Sequence, residues 1–185
     1  MDMGYPSMMS RAETTSFLGE VLVRSRLRGG GRCWAREVTL GPKGSPRVDF
    51  LAFETESRQN LRGIEHGTFT GYEIKSCRDD VLSGHGLNHA GDVNYVVMPP
   101  WVWFDKRSDS FLSMQERLGG FGVLVPEFAL GELVTGMRYP TSFLGYEARD
   151  FALREVLPPD DRRYSQRDRS TMELLFYMLR AGGES

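Results

Sequence analysis

The strongest structural signal of this sequence lies in two stretches, RVDFLAFE at residues 47–54 and TFTGYEIKS at residues 68–76. Both are rich in β-branched and aromatic residues, which favour strands. Because side chains alternate across a strand, Val48 and Phe50 share one face while Asp49 points to the other. The sequence therefore predicts two strands, the first of which carries a carboxylate on one side.

The second of these strands carries two charges on one face. Glu73 and Lys75 are two residues apart, with Ile74 opposite. Burying charges is costly unless they pair or bind a metal. Asp49 and Glu73 offer the oxygen ligands that Mg²⁺ prefers, and a lysine beside them can orient water and stabilise negative charge. This pattern favours phosphodiester hydrolysis with Asp49, Glu73 and Lys75 as catalytic residues.

The same three residues also have a purely structural interpretation. Glu73 and Lys75 could form a solvent-facing pair on an edge strand, with Asp49 an acid near a turn. Short charged tripeptides are common, so the motif alone does not choose between the two interpretations.

The surrounding sequence predicts an α/β fold, a mixed central sheet flanked by helices with the core order αβββαβ. The expected elements are a helix over 10–28, a strand over 34–40, a loop over 55–67, a short broken helix within 77–91, a strand over 94–98, a helix over 111–118, and strands over 122–125 and about 133–139.

The chain of 185 residues fits one domain. We expect a nuclease-like domain over 1–140, an exposed linker over 141–165 rich in proline and alternating charges, and a C-terminal helix over 166–185 packed on the same domain. The apolar face of that helix is predicted to comprise Met172, Leu175, Phe176 and Leu179.

Composition narrows the functional classes. Hydrophobic residues make up 40% and charged residues 26%, which is typical of soluble globular proteins. No apolar run reaches the roughly 20 residues that cross a bilayer, and the N-terminus lacks signal-peptide features, so we expect a cytoplasmic protein with no membrane partner. The net charge of -2 excludes a protein that coats nucleic acid through bulk charge. Cys33 and Cys77 lack the spacing of a disulfide framework or zinc knuckle.

Basic residues nevertheless cluster locally. Between residues 24 and 47 arginines predominate, with Glu37 the lone acid. Such a cluster can hold phosphates on an acidic protein, or it can be a solvated face. The predicted nucleic-acid-binding residues are Arg28, Arg32, Arg36 and Arg47.

Two histidines, His85 and His89, are four residues apart. On a regular helix they could share a zinc ion, but glycines flank them and no third ligand is suitably spaced. We expect His85, Asn88 and His89 to border the active site and to contact a phosphate or a base. A capped polar loop is the alternative.

RVDFLA at 47–52, GYEIK at 71–75 and the following Asp80 resemble the PD-(D/E)xK nuclease superfamily, in particular the branch of MmcB-like DNA repair proteins and phage-encoded nucleases. The resemblance covers about 34–125, with Val48 in place of the proline of the superfamily name. It implies a restriction-endonuclease-like fold and a nuclease that acts on DNA, RNA not being excluded, in repair or mobile-element processing.

The resemblance also implies roles for individual residues. Asp49 and Glu73 ligate Mg²⁺, for which Mn²⁺ could substitute, the Ile74 carbonyl joins them, and Lys75 is catalytic. Asp80 and Glu20 are candidate auxiliary residues, Glu20 because some superfamily members place a glutamate in the first helix. The stretch GHGLN at 84–88 resembles one found in phage-type members.

Two rival functions remain open. A structure-selective, junction-resolving nuclease of the same fold would require a homodimer. A catalytically weak nucleic-acid-binding module would retain the fold alone, but such a module has no need for paired carboxylates that repel phosphate.

Overall fold

The computed structural model describes residues 9–29, 32–56, 60–105, 110–130, 137–160 and 169–183. In chain order its elements are helix α1 (Arg11–Leu22) with a π-helical turn (Val23–Leu27), β1 (Cys33–Thr39), β2 (Arg47–Glu54), α2 (Leu61–Glu65), β3 (Thr68–Ile74), α3 (Arg78–Leu82), β4 (Val93–Val97), α4 (Pro100–Trp103), α5 (Ser110–Leu118), β5 (Gly122–Phe128), a 3₁₀ turn (Ala148–Asp150), β6 (Phe151–Leu157) and α6 (Thr171–Arg180). None of these helices is long and apolar enough to span a membrane.

The strands form a sheet whose spatial order is the chain order, β1 to β6. β1, β2 and β3 are antiparallel neighbours, β3, β4 and β5 run parallel, and β6 returns antiparallel to β5. The parallel connections each pass through helices, as they must. This mixed six-stranded sheet flanked by helices confirms the expected restriction-endonuclease-like α/β class.

Helix α1 covers one face of the sheet. Ser10 caps it, since its hydroxyl accepts a hydrogen bond from the Glu13 amide at 3.2 Å while the Glu13 carboxylate accepts one from the Ser10 amide at 2.7 Å. Leu18 is fully buried, in one core with Phe50. At Gly19 a Cβ would lie 3.3 Å from the Phe50 ring, so helix and sheet are in close contact.

The opposite face carries two smaller cores. One lies beneath α6 and includes Leu51, Phe53 and Leu174, and the other lies beneath α4 and α5 and includes Val96 and Met114. Val48 belongs to the core beneath α6 and Phe50 to the core on the α1 side, so these two side chains do not share a face as expected. Asp49, which lies between them, lines a cavity together with Glu73 and with Thr15 of α1.

Several expected elements need correction. The 55–67 loop contains α2. Of the expected strand at 133–139, residues 131–136 lie outside the described residues, and 137–139 are not a strand. Instead β6 completes the sheet, within the segment 141–165 that was predicted as a linker. The linker prediction is wrong for 148–157 because the alternating charges belong to the exposed side of an edge strand: Arg154 lies 3.6 Å from Glu127.

The predicted apolar face of the last helix is also wrong. Helix α6 packs on β1 through Leu174 and Met178. Met172, Phe176 and Leu179 are 73%, 56% and 76% exposed, and Leu175 is only partly buried. The helix is apolar on more than one side, so periodicity could not identify the buried one.

Candidate functional site

A cavity of about 640 Å³ opens at the end of strand β3, and we call it the cleft. It brings together most of the predicted site residues and some that were not predicted. Its lining comprises Thr15, Glu37, Pro46, Arg47, Asp49, Glu73, Ile74, Lys75, Asp80, Gly84, His85, Gly86, Leu87 and Asn88.

The two carboxylates face each other across neighbouring strands. Phe50 pairs with Tyr72 in the β2–β3 register, and one further step sets Asp49 opposite Glu73. The Asp49 carboxylate accepts a hydrogen bond from the Ile74 amide at 2.8 Å. The Ile74 side chain lies in the α1-side core, so Ile74 borders the cleft through its main chain.

Glu73 is a buried carboxylate with an unsatisfied oxygen. The residue is only 3% exposed, and its Oε1 has no hydrogen-bond partner in the described part of the chain. Gly86 closes over the other oxygen: a Cβ at this residue, whose φ is +78°, would lie 2.5 Å from Glu73 Oε2. Only glycine permits this approach without strain.

Burial, together with the nearby Asp49 carboxylate and against the opposing effect of Lys75, raises the pKa of Glu73 to about 9. Without a cation, Glu73 is therefore protonated at neutral pH. A divalent ion would favour the ionised form, so a carboxylate pair with an unsatisfied buried oxygen suits one.

The donor set is small. Among the residues described, no group of three or more His, Cys, Asp or Glu side chains is arranged to hold a metal. The Asp49 and Glu73 carboxylates lie together with the Ile74 main chain beside them, whereas the other two carboxylates of the cleft, Glu37 and Asp80, pair with Arg47 and Lys75. Two carboxylates, a carbonyl and several waters match the ligand preferences of Mg²⁺, so the residues fit this ion.

Lys75 is held rigidly beside the carboxylates. The residue is 4% exposed, and its Nζ donates a hydrogen bond to the His85 carbonyl oxygen at 2.5 Å and lies 3.8 Å from Asp80 Oδ1. Asp80 Oδ2 also accepts a hydrogen bond from the Ser76 amide at 3.2 Å. Asp80 and the His85 main chain thus position the lysine.

The two histidines do not meet in the cleft. His85 lines it, whereas the His89 ring packs on Phe121 with centroids 4.4 Å apart. The shared zinc site is therefore not formed. Asn88 ties its loop to β2 by donating a hydrogen bond to the Arg47 carbonyl at 2.9 Å, and its buried Oδ1 has no partner among the described residues.

Glu37 is a cleft residue that sequence reasoning missed. It forms an ion pair with Arg47 at 2.6 Å and has a φ of +53°, a left-handed conformation rare outside glycine. Nothing in the local sequence signals this conformation. Sequence reasoning also missed the contact of Gly86 with Glu73, although the glycines of GHG at 84–86 indicated a non-helical backbone.

The predicted nucleic-acid-binding arginines divide among three places and do not form a single border of the cleft. Only Arg47 borders the cleft. Arg32 lies elsewhere, bound to Glu54 at 2.9 Å. Arg28 and Arg36 line a second cavity, as does Glu20, which the structure therefore does not bring to the carboxylate pair.

Comparisons with known proteins give little beyond this geometry. No protein-family model matches the chain. No curated protein matches it. Among solved structures, it is similar to a protein of unknown function from Silicibacter pomeroyi, with 12% identity, a TM-score of 0.49, and coverage of 91% of this chain and 82% of that one.

Proposed function

We propose that the protein is a metal-dependent phosphodiesterase that cleaves nucleic acid, with Mg²⁺ as its cofactor. One observation carries the proposal: Glu73 is buried with an unsatisfied oxygen, opposite a second carboxylate and beside a buried lysine.

A purely structural role does not account for this arrangement. A buried carboxyl oxygen without a hydrogen-bond partner, such as Oε1 of Glu73 within the described residues, costs roughly 1–3 kcal/mol. Asp49 would also repel Glu73 whenever Glu73 ionises, an arrangement that a core selected for stability alone would avoid. Sites that destabilise the fold in this way are commonly those that function requires.

The residues of the cleft would have separate roles in phosphodiester hydrolysis. Bound Mg²⁺ would lower the pKa of a water and offset charge on the phosphate. Asp49, oriented by the Ile74 amide, and Glu73, enclosed by Gly86, would hold the ion. Lys75, fixed by the His85 carbonyl and Asp80, would orient the attacking water and stabilise the developing negative charge.

Arg47 and Asn88 line the same cleft and suit contact with a phosphate. We propose DNA as the substrate, because RVDFLA and GYEIK resemble DNA-processing nucleases of the PD-(D/E)xK superfamily. A role in repair or mobile-element processing follows from the same resemblance.

The test is cleavage of labelled single-stranded, duplex and branched DNA, and of RNA, in Mg²⁺, Mn²⁺ or EDTA. Wild type should cleave only with a metal, whereas Asp49→Asn and Glu73→Gln should not cleave. Glu65→Gln, an exposed glutamate on α2, is the matched control and should cleave normally. If wild type cleaves none of these substrates yet binds them, the nucleic-acid-binding module replaces the nuclease.

A further inference from the structure

A second cavity of about 690 Å³ lies beside α1, and we call it the arginine cavity. Its volume is within the range of ligand sites in proteins. Its lining comprises Phe17, Glu20, Val23, Arg24, Arg28, Arg36, Tyr146, Glu147, Ala148 and Arg149. Arginines outnumber the acids, so the cavity is locally positive on a chain of net charge -2.

Most of these arginines lack an acidic partner. Arg149 is bound to Glu147 at 2.9 Å. Within the described residues, Arg24, Arg28 and Arg36 have neither an ion pair nor a side-chain hydrogen bond. Like charges gathered in a concave surface repel one another, and a bound anion would offset that repulsion.

Two features position the arginines, one through the Arg36 side chain and the other through the backbone of Arg24 and Arg28. Arg36 lies over the rings of Trp34 and Phe50, 5.4 Å from each centroid, which is within the range of cation–π attraction. Arg24 lies in the π-helical turn that ends at Arg28, closed by the hydrogen bond from the Arg28 amide to the Val23 carbonyl at 2.8 Å. Such turns are rare and frequently occur at functional sites.

The arginine cavity and the cleft flank the same elements. Thr15 lines the cleft and Glu20 the arginine cavity, and five residues of an α-helix turn through about 140°, so the cavities lie on different sides of α1. On the edge strand β1, Arg36 lines the arginine cavity and the next residue, Glu37, lines the cleft. The two cavities are therefore lined by consecutive residues of β1, which is the placement that a chain of phosphates leaving the cleft past β1 would require.

We propose that the arginine cavity is a second phosphate-binding site, which holds backbone phosphates of the nucleic-acid strand beyond the cleft. The nucleic-acid part of this assignment rests on the proposed function. Guanidinium groups bind phosphate oxygens in pairs of hydrogen bonds, which gives the site its chemical specificity. Glu20 limits the affinity, because its carboxylate repels the same phosphates.

The experiment compares wild type with the double variant Arg24→Gln/Arg28→Gln. The first arm measures binding of a labelled single-stranded DNA of about 16 nucleotides in Ca²⁺ over a salt series. Loss of two phosphate contacts should weaken binding about tenfold or more at about 0.1 M salt, and reduce the salt slope by about 1.4. The second arm measures calorimetric binding of inorganic pyrophosphate in EDTA, which the double variant should also weaken.

Two single variants sharpen the result. Glu20→Gln removes a negative charge and should tighten binding in both arms. Arg62→Gln changes an exposed arginine on α2 that lines neither cavity, and should leave both unchanged. All variants replace exposed side chains, and thermal melts check that they fold.

Each outcome decides the proposal. A reduced salt slope with weaker pyrophosphate binding supports it. Weaker pyrophosphate binding with unchanged or absent DNA binding overturns the nucleic-acid assignment and indicates a free phosphorylated ligand. No change in either arm overturns the site altogether. Because both arms measure binding, a protein that binds but does not cleave would refute the nuclease proposal and leave this one standing.

Discussion

The cleft and the arginine cavity lie on either side of α1, yet they differ in how their residues come together. Asp49, Glu73 and Lys75 meet because two adjacent strands alternate with a period of two. The arginine cavity draws Arg28 from a helix end and Arg149 from a segment before β6, far apart in the sequence. Strand periodicity therefore reveals the first site in the sequence, whereas the second becomes visible only once the chain is folded.

The largest expected effect concerns catalysis in the cleft. Lys75→Ala should lower the rate of cleavage by about 10² or more, because it removes a charge that acts on the transition state. DNA binding in Ca²⁺ should stay within a few-fold of wild type. Lys43→Ala, an exposed lysine in the turn before β2, is the control and should retain full activity. Equal losses in binding and rate would make Lys75 a binding residue only.

The second prediction concerns the pH dependence of stability. Folding raises the pKa of Glu73 from 4.5 to about 9, so the native protein retains a proton that the unfolded chain loses. The free energy of unfolding of the metal-free protein should fall as pH rises through this interval, by up to about 1.4 kcal/mol per pH unit. Glu73→Gln should lack this contribution.

Chemical denaturation at about pH 5 and about pH 8 measures the effect. Glu73→Gln should be more stable than wild type at the higher pH, with the difference shrinking at the lower one. Saturating Mg²⁺ should stabilise wild type and not the variant. Identical pH dependence of the two proteins would show that Glu73 is not protonated in the fold.

The features of the fold that the sequence predicted depend on residues close together in the chain, as in the cleft. Those that it missed depend on contacts between distant segments, as in the arginine cavity. The bounds of β2 were predicted in full, and the expected helix start at residue 10 coincides with the Ser10 cap of α1. Both signals depend only on neighbours in the chain. The strand β6 was missed because its charges are spaced like those of a linker, and their partners, such as Glu127, lie on another strand. The positive φ of Glu37 depends on tertiary contacts as well, and no local residue marks it.

A third prediction isolates the contact that encloses Glu73. Gly86→Ala places a Cβ within 2.5 Å of Glu73 Oε2, at a residue with φ of +78°. It should destabilise the fold by about 1–3 kcal/mol and weaken Mg²⁺ binding. Gly44→Ala is the matched control, since its φ is +92° and nothing lies within 4 Å of the added Cβ. The two substitutions share only backbone strain. Equal effects of both on Mg²⁺ binding would therefore refute a role for the contact between residue 86 and Glu73.

The smallest expected effect tests the strained residue between the two cavities. At Glu37, with φ of +53°, glycine should be more stable than alanine by about 1 kcal/mol, the reverse of the usual order within a strand. Both substitutions remove the ion pair with Arg47, so that contribution cancels when the two are compared. Glu54, which ends β2 and pairs with Arg32, provides the control, where alanine should equal or exceed glycine. Denaturant midpoints of the four variants measure both differences. If alanine were the more stable at Glu37 as well, the left-handed backbone there would be refuted.

If glycine is favoured, DNA affinity should rise in Glu37→Gly, because Arg47 loses its acidic partner at the mouth of the cleft.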